Sequence, residues 1–470
     1  MPVDPKNRLN DLDSREWLQF QKSWFPDSEN TLAEFIRFFT KSKHADGRLG
    51  NVGILPEQAE RLSGAIHACG RQPTIIEEVA ESNALDYVLI DWRNEHDTLQ
   101  TYNDKGALRL AKLHAATRAL QHRGHLTLLM RNATANATLL PIVWHFAMQV
   151  TGFLSQKDEK IGCEAAAKSE EAAGWKTDQR LYYCLNFRKG AETSSAPPAF
   201  RPLEVFHRHA DLSEPRAPRR PAWSVVKPPP REKGVLLHPA KFPETLIARF
   251  IEDFSKPGEI VLDPMAGTGS ALVAARQTGR RAAGIELNSA FLNIIRQRLG
   301  HDDLFGSDEA GDILIWGDAT HEQAYAQLPP VIDYAVTSPP YWDMLRMKGA
   351  ETQKKRRDAG LLVFYSDDPR DLGNLVDYGT FLAMLLRAYR LVITRLKPGG
   401  FMTVIVKNVK KRGKIYPLAW DLALALAPEM ELRHEQIWCQ DDQKLAPFGY
   451  RYAWVSNTFH HYCLHFRKPL

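Results

Sequence analysis

The sequence lacks paired cysteine motifs, long apolar runs and a strong excess of either charge. Its five cysteines are odd in number and form no CxxC pair, which argues against a disulfide framework and a zinc module. We therefore expect a cytoplasmic protein without a metal site. No stretch approaches the roughly 18 apolar residues of a membrane span, and the start has no apolar signal segment, so no membrane association is expected. The net charge of +5 only weakly suggests a polyanionic partner.

The chain is long enough for more than one domain. Of its 470 residues, 44% are apolar and 25% are charged, which is ordinary for globular protein. Proline and arginine are concentrated in residues 191–234, which include AETSSAPPAFRP and KPPPREKG. Such a stretch cannot hold a long helix or a central strand. The pattern predicts an N-terminal domain over 1–190, a linker over 191–234 and a C-terminal domain over 235–470.

Two segments of the chain resemble each other. The segment starting at Leu126 aligns without gaps on the segment starting at Met402. Upstream, LDYVLIDWRNEHDTL takes the place of IDYAVTSPPYWDML, so the first copy keeps a strand but lacks the Ser-Pro-Pro-Tyr turn. We expect a degenerate, partial α/β repeat of the second half, unless two segments converged on one pattern. The aligned identities are Asn132 with Asn408, Pro141 with Pro417, Trp144 with Trp420 and Cys163 with Cys439.

Apolar runs alternate with amphipathic stretches in the C-terminal region. The sequences EIVLDP, RAAGIEL, DILIWGD, DYAVTSPP, FMTVIVKN and YCLHFRK are typical of strands, whereas GSALVAARQTG and TFLAMLLRAYRLVITRL are typical of helices. This alternation predicts an α/β fold with a doubly wound, mostly parallel sheet. Ligands of such sheets bind beyond the carboxyl ends of the strands.

Acidic residues and glycines stand at three of these strand ends. Gly267 and Gly269 follow Asp263 in DPMAGTG, and glycines allow close backbone approach at a helix start. Glu286 ends the next strand, where an acid can accept hydrogen bonds from ribose hydroxyls. Asp318 ends a third strand and is placed to accept from an adenine amino group. Carboxylates at all three ends favour a nucleoside with a cationic centre, such as S-adenosylmethionine, although a glycine turn alone also fits NAD or a structural bend.

The order of motifs is more specific than any one of them. DPMAGTG, Glu286, Asp318 and SPPY follow one another, and in this order the region 235–470 resembles the amino-methylating DNA methyltransferases that act on cytosine N4 or adenine N6. The resemblance implies a Rossmann-like methyltransferase sheet, S-adenosylmethionine as cofactor and double-stranded DNA as partner. It also implies that His238, Lys241 and Phe242 hold the methionine end of the cofactor. Met265 departs from the usual phenylalanine of the glycine turn.

The SPPY turn supplies the predicted catalytic groups. An exocyclic amine is a poor nucleophile, and acceptors for its two hydrogens return electron density to nitrogen. Ser338 Oγ and the Pro339 carbonyl can accept them, while Pro340 stiffens the turn. Tyr341 and Trp342 are the candidates to receive a base pulled out of the duplex. A purely structural strand cap is the alternative interpretation.

Within the resemblance, serine at the first position of the turn favours cytosine N4 over adenine N6. The predicted function is site-specific DNA methylation in a restriction-modification or phage-defence setting, with a cognate nuclease or defence subunits as possible partners. Methylation of adenine N6 is the nearest alternative. RNA guanine methylation and a non-catalytic DNA-binding subunit are the others.

Basic residues are clustered in two segments that follow predicted strands. A long insertion at 343–378 leaves the expected active-site edge, and KNVKKRGK follows the next strand. Loops of this length inside a domain are usually functional or disordered, and these could track DNA phosphates, although charged runs are most often solvated surface. The candidate contacts are Lys354, Lys355, Arg356, Arg357, Lys410, Lys411 and Arg412.

Overall fold

A computed structural model shows two compact units. It describes residues 7, 9–78, 84–95, 97–135, 138–164, 176–178, 180–190, 196–204, 221–226, 242–300, 311–342, 368–441 and 458–470. Unit 1 comprises Met1–Val225, Lys410–Tyr416 and Cys439–His460, and unit 2 comprises Val226–Val409, Pro417–Trp438 and His461–Leu470. The boundaries expected at 190 and 235 stay predictions, because most of the linker lies outside the described residues.

Unit 1 is an α/β fold. Its helices are α1 (Ser14–Phe20), α2 (Thr31–Phe39), α3 (Ala59–Ala68), α4 (Leu99–Ala119) and α5 (Ile142–Val150). Its strands are β1 (Trp24–Pro26), β2 (Asn51–Ile54), β3 (Gln72–Ile75), β4 (Leu85–Asp91), β5 (Leu120–Met130), β6 (Ala133–Ala135), β7 (Thr138–Leu140), β8 (Ser155–Glu164), β9 (Lys176–Asp178), β10 (Arg180–Arg188) and β11 (Trp223–Val225). Seven strands form one sheet in the order β1-β8-β10-β5-β4-β2-β3.

Unit 2 is a second α/β fold. Its helices are α6 (Glu244–Phe254), α7 (Ser270–Gln277), α8 (Ser289–Arg298), α9 (Glu322–Tyr325), α10 (Tyr378–Arg395) and α11 (Leu418–Leu426). Strands β12 (Ile260–Asp263), β13 (Arg281–Glu286), β14 (Ile313–Trp316), β15 (Ile332–Thr337), β16 (Leu396–Val406), β19 (Glu431–Cys439) and β20 (His460–Arg467) lie in the order β14-β13-β12-β15-β16-β20-β19. Strands β17 (Val409–Lys411) and β18 (Lys414–Tyr416) form a hairpin that, from Lys410 onward, belongs to unit 1.

The strands from β14 to β16 are parallel, and β20 is antiparallel to β16. The alternation of strands and helices agrees with the doubly wound α/β fold that the sequence predicts. Because parallel strands are covered on both faces, β12 and β15 are buried along most of their length. All five cysteines are free thiols.

The two units have the same internal order of strands. The two sheets correspond strand by strand. The order in unit 1 is β3-β2-β4-β5-β10-β8, and the order in unit 2 is β13-β12-β15-β16-β20-β19. Along the chain, a hairpin precedes a proline-led helix in each case, and the asparagine just before the hairpin accepts a bond from the helix. Asn132 Oδ1 accepts from the Val143 amide at 3.0 Å, and Asn408 Oδ1 accepts from the Ala419 amide at 2.9 Å.

The correspondence includes a strand-helix-strand segment that the sequence interpretation missed. Residues 51–75 of unit 1 match residues 260–286 of unit 2 in their position next to β4 and β15. Arg71 donates to the Thr40 hydroxyl and carbonyl, as Arg280 donates to those of Ser255. Unit 1 therefore has two strands and a helix in the places of β12, α7 and β13, but no described strand lies beyond β3 as β14 lies beyond β13. Its origin by duplication stays a prediction.

The helix-capping asparagines give a test of folding energetics. Asn408 is buried, so Asn408→Ala leaves the Ala419 amide without its side-chain acceptor. We expect a loss of about 1–3 kcal/mol of stability, since an unsatisfied buried donor costs this much. Urea unfolding followed by circular dichroism measures it. The exposed Asn293→Ala on α8 is the control and should stay within about 0.5 kcal/mol; equal effects of both substitutions would contradict the capping role.

Candidate active site

A pocket lies beyond the carboxyl ends of β12, β13, β14 and β15. It encloses about 130 Å³, and Asp263, Glu286, Asp318 and Ser338 all line it. These residues come from four different strand ends, which the parallel order brings to one edge. The apolar part of the lining is contributed by Phe242, Ile247, Ile285, Leu287, Phe291 and Leu372, among others.

The glycine turn forms the floor of the pocket. Gly267 and Gly269 have φ values of 56° and 79°, in the left-handed region that favours glycine. A Cβ atom at Gly269 would lie 2.9 Å from the Ile295 side chain. The close packing of Ile295 is therefore a second reason for glycine at this position. Helix α7 begins at Ser270, directly after the turn. Its amino end therefore points free amide groups at the pocket.

Two carboxylates at the pocket wall are held by backbone amides. Asp263 Oδ1 accepts from the Met265 amide at 3.0 Å. Glu286 accepts from the Gly267 amide at 2.7 Å and from the Asn288 amide at 2.8 Å, one bond to each oxygen. Burial raises the pKa of Asp263 to about 6 and the pKa of Glu286 to about 7. The hydrogen bonds from the backbone amides lower both pKa values, but the effect of burial is larger. Hydrogen-bond donors of a ligand would stabilise their ionised forms.

The third predicted carboxylate has a different environment. Asp318 Oδ1 accepts from the Thr320 amide at 2.8 Å and from the Thr320 hydroxyl at 2.7 Å. Its Oδ2 lies 3.7 Å from His321 Nε2. The geometry leaves this carboxylate at the pocket rim, on the side of β14.

The SPPY turn lines the same pocket as the predicted cofactor residues. Ser338 and Pro340 line the cavity, and Ser338 Oγ lies 3.5 Å from Tyr341 Oη. Tyr341 and Trp342, predicted to stack on a base, are only 6% and 3% exposed. Tyr341 lies 6.1 Å from the ring of His461, and Trp342 contacts Tyr378 edge-on. Both rings would have to turn or shift to stack on a base, and Trp342 has a strained φ of 52°.

The structure adds pocket residues that the sequence interpretation missed. Arg370, Asp371 and Leu372 line the cavity from a turn that precedes α10. Asp371 is buried, and its Oδ1 accepts from the Gly373 amide at 2.8 Å. The sequence assigned this segment to a DNA-contacting insertion. The Asp-x-Gly pattern of an Asx turn was the one available signal, and it does not reveal which pocket the carboxylate reaches.

Some of the remaining predicted site residues lie outside the described residues, and the others lie in the β17–β18 hairpin. His238, Lys241, Lys354, Lys355, Arg356 and Arg357 lie outside the described residues. Lys410 and the buried Asp158 both belong to unit 1 and form an ion pair, so the charge of Lys410 is already neutralised. Lys411 is partly exposed and Arg412 is exposed.

The equivalent edge of unit 1 has different chemistry. Asp91 stands at the position of Ser338 and is bound by Arg93 at 2.9 Å and Arg61 at 2.5 Å. Burial would raise the pKa of Asp91, but the hydrogen bonds and charge of Arg93, with the charge of Arg61, hold it below its usual value. Residues 55–58, Leu-Pro-Glu-Gln, replace the glycine turn. This edge is closed by ion pairs.

A comparison with known protein families gives a match that includes Asp263 and Glu286 and ends before Asp318 and Ser338. A family model described as "DNA methylase" matches residues 30–297, more than half of the chain. The chain belongs to this DNA methylase family. The match begins in unit 1, well before the region 235–470 in which the motifs of the family were recognised. The cofactor of the family is S-adenosylmethionine, and the acidic, partly apolar pocket fits a nucleoside with a cationic sulfonium.

Individual relatives match short stretches of the chain. The type II methyltransferase M2.DpnII of Streptococcus pneumoniae is 41% identical over 68 residues, 14% of this chain and 25% of that protein. The DNA adenine methyltransferase YhdJ of Escherichia coli (strain K12) is 37% identical over 76 residues, 16% of this chain and 26% of that protein. The match thus spans about a quarter of the length of these relatives. A solved rRNA methylase from Streptococcus thermophilus is 14% identical, with a TM-score of 0.29 over 49% of this chain and 99% of that chain.

The described part of the chain was compared with the requirements for a membrane-spanning helix and for a metal site. There, no helix has the length and apolar character needed to cross a membrane. Within the same residues, no group of three or more histidine, cysteine, aspartate or glutamate side chains could hold a metal ion.

The raised pKa of Glu286 predicts pH-dependent cofactor binding. Its pKa of about 7 means that it is largely protonated below pH 7, and ribose hydroxyls donate best to the ionised form. We expect the affinity for S-adenosylmethionine to increase as pH rises through about 7 and to level off above it. Calorimetric titration between pH 5.5 and 8.5 measures this. Glu286→Gln should remove the step near pH 7, the exposed Glu252→Gln should keep it, and an unchanged profile in Glu286→Gln would contradict the assignment.

Proposed function

We propose that the protein is an S-adenosylmethionine-dependent DNA methyltransferase that modifies an exocyclic amine, most consistently cytosine N4. The observation that carries the proposal is the convergence of two motifs in one pocket. Ser338 and Pro340 of the SPPY turn line the same cavity as Asp263, Glu286 and Asp318. A methyl donor bound against the carboxylates would therefore lie next to acceptors for an amine.

The residues of the turn would activate the amine by position rather than by covalent chemistry. Ser338 Oγ and the Pro339 carbonyl would accept the two amine hydrogens and aim the nitrogen lone pair at the methyl group. Bound S-adenosylmethionine would supply the methyl group, with its carbon–sulfur bond as the bond that breaks, and the surplus proton of the amine would leave the nitrogen for solvent. Positioning and electrostatics then supply most of the rate.

The carboxylates would select the cofactor. Glu286 would accept from the ribose hydroxyls, and Asp318 at the rim would accept from the adenine amino group. Asp263 and Phe242 line the pocket between the glycine turn and the catalytic turn, where the methionine part would lie. The predicted contacts of His238 and Lys241 belong to the same part of the proposal.

A base must leave the duplex to reach Ser338, which costs a few kcal/mol. The proposal includes a rearrangement of Tyr341 or Trp342 that exposes a ring to this base. The strained φ of Trp342 supports such a rearrangement, since strain at a turn next to chemistry lowers the cost of leaving that conformation.

Methylation of adenine N6 is the second candidate. It is supported by the relative YhdJ, which is named as a DNA adenine methyltransferase. The serine at the first position of the SPPY turn favours cytosine N4 within the family resemblance. The two reactions share the same attack geometry and differ in the ring that the pocket must accommodate.

The partners and setting follow from this function. Double-stranded DNA is the proposed substrate, and Lys354, Lys355, Arg356, Arg357, Lys411 and Arg412 are proposed phosphate contacts. Lys410 is a weaker candidate because Asp158 neutralises it. A cytoplasmic location and a restriction-modification or defence role, with a cognate nuclease or other subunit, complete the proposal.

Replacing the catalytic serine tests the reaction directly. Ser338→Ala should reduce turnover about 100-fold or more, because it removes a preorganised acceptor, while cofactor affinity stays nearly unchanged. Sequencing of genomic DNA that separates cytosine-N4 from adenine-N6 marks, from cells expressing either form, measures both base and site. Full methylation by Ser338→Ala would exclude the proposed role, and an adenine mark would select the second candidate.

The newly found Asp371 gives an independent test of the cofactor site. Asp371→Asn keeps the bond to the Gly373 amide but removes the pocket charge. At pH 8.5 we expect roughly tenfold weaker binding of S-adenosylmethionine, from the loss of a charged acceptor. The midpoint of the pH profile should also fall, because the charge of Asp371 helps to raise the pKa of Glu286.

The matched control for Asp371→Asn is Asp377→Asn. Asp377 also caps a turn of backbone, by accepting from the Thr380 amide at 2.7 Å, but it is exposed and does not line the pocket. This control should bind the cofactor like the wild type at every pH. Equal losses in the two variants would show that Asp371 acts only through the backbone.

A further inference from the structure

Unit 1 has a polar pocket at the opposite end of its sheet from the ion-paired edge. It encloses about 360 Å³ at the amino ends of β4 and β5, next to the end of α2. Its polar lining includes the cationic side chains Lys41, Arg48 and Arg123. The lining consists of Leu9, Phe39, Thr40, Lys41, His44, Ala45, Arg48, Asp86, Gln121, Arg123, Gly124 and His125.

The equivalent place in unit 2 is closed by a lysine. Asp333, the counterpart of Asp86, accepts from the Ile260 amide at 2.9 Å and from Lys397 Nζ at 2.9 Å. Lys397 also binds Glu259 at 2.7 Å and so bridges two acids. In unit 1 the counterpart of Lys397 is Gln121, which cannot form this bridge.

A longer loop replaces that bridge in unit 1. Residues 41–50 join α2 to β2, where only residues 256–259 join α6 to β12. The longer loop supplies His44 and Arg48, which bind Asp86 at 2.9 and 3.1 Å, and the Asn51 amide binds it at 2.8 Å. The one acidic group that lines the pocket is therefore already neutralised.

Two other cationic side chains, Lys41 and Arg123, line the pocket. Among the described residues, the structure gives neither Lys41 nor Arg123 an ion pair with a carboxylate. His125 adds a buried ring at the wall, and burial, with the charges of Arg188 and Lys157, lowers its pKa to about 3. A neutral imidazole and a local excess of positive charge result.

Arg123 occupies a backbone position that suits glycine. Its φ is 65°, and its counterpart in unit 2 is Gly399, with a φ of 72°. The next residue is glycine in both units, and a Cβ atom there would lie 2.9 Å from a backbone oxygen in each, Gln121 O for Gly124 and Lys397 O for Gly400. The turn is thus the same, and a left-handed arginine is strained in it. Strain at such a position motivates the hypothesis that the arginine side chain is functional.

We propose that this pocket binds a phosphate group through Lys41 and Arg123, with Arg48 at its rim. The shared chemistry is that of a phosphate anion, and its source is either the backbone of DNA or a free phosphate compound. The DNA source rests on the proposed function and would give unit 1 a role in holding the substrate. The free-phosphate source does not depend on that function.

The test uses the full chain with Lys41→Gln and Arg123→Asn combined. Asparagine adopts left-handed backbone more readily than other non-glycine residues, so Arg123→Asn removes the charge without adding strain. The thermal midpoint of the double variant should equal or exceed that of the wild type. The control neutralises Arg37 and Lys105, two exposed cations of the same unit that do not line the pocket.

Binding is measured with a duplex DNA of about 30 base pairs over a range of salt concentrations, and with inorganic phosphate by calorimetry. We expect the double variant to bind the duplex about tenfold more weakly, with the salt slope reduced by 1 to 2, while the control changes little. Loss of phosphate binding with unchanged duplex binding would support the site with a free ligand as its source.

Two results would overturn the proposal. One is wild-type binding of both probes by the double variant. The other is an equal loss in the control, which would show that only general surface charge is involved. Binding of S-adenosylmethionine, measured on the same samples, should be unaffected. If the wild type binds neither the cofactor nor the duplex, the proposed function fails, and the phosphate titration still decides the fate of the pocket.

Discussion

The hydrogen bond from the Gly267 amide to the Glu286 carboxylate is the contact on which the cofactor end of unit 2 depends. It ties the glycine turn to the end of the next strand, and the second oxygen of Glu286 holds the Asn288 amide at the start of α8. The carboxylate is therefore fixed before any ligand arrives. Because burial disfavours its charge, the ionised form gains most when a ligand brings further donors. A single buried acid thus fixes the glycine turn and the start of α8 together, which is the arrangement that the proposed cofactor binding requires.

The same sheet edge is used in opposite ways in the two units. In unit 2, Asp263 and Glu286 are held by backbone amides, which position a carboxylate but do not cancel its charge. In unit 1, Asp91 is held by the guanidinium groups of Arg61 and Arg93, which cancel it. Removing one partner from such a buried pair is costly, so this arrangement stabilises the closed edge rather than a ligand. The same sheet edge therefore has available carboxylates in unit 2 and an ion-paired carboxylate in unit 1.

Local signals in the sequence predicted the α/β fold, the glycine turn, the three strand-end carboxylates and the SPPY turn, because each depends on spacing along the chain. The first half of the fold in unit 1 could not be recognised in this way. Its equivalence to unit 2 is expressed in the bonds of Arg71 and Arg280, while the glycine turn itself is absent. Asp371 was missed because tertiary structure alone brings it to the pocket. The burial of Tyr341 likewise depends on His461, a residue 120 positions later.

One physical rule accounts for the contacts that the two units share and for the positions at which they differ. The retained contacts satisfy buried backbone groups, as Asn132 and Asn408 do for their helices, and losing them would destabilise either unit. The divergent positions lie at sheet ends, where a side chain can change without breaking the ladder of strand hydrogen bonds. Position 121 has glutamine where position 397 has lysine, and position 123 has arginine where position 399 has glycine. The first difference leaves unit 1 without the lysine that bridges two acids in unit 2, and the second adds a guanidinium group beside the open edge. Both differences act in the same direction, because each increases the room or the charge that the proposed phosphate site requires.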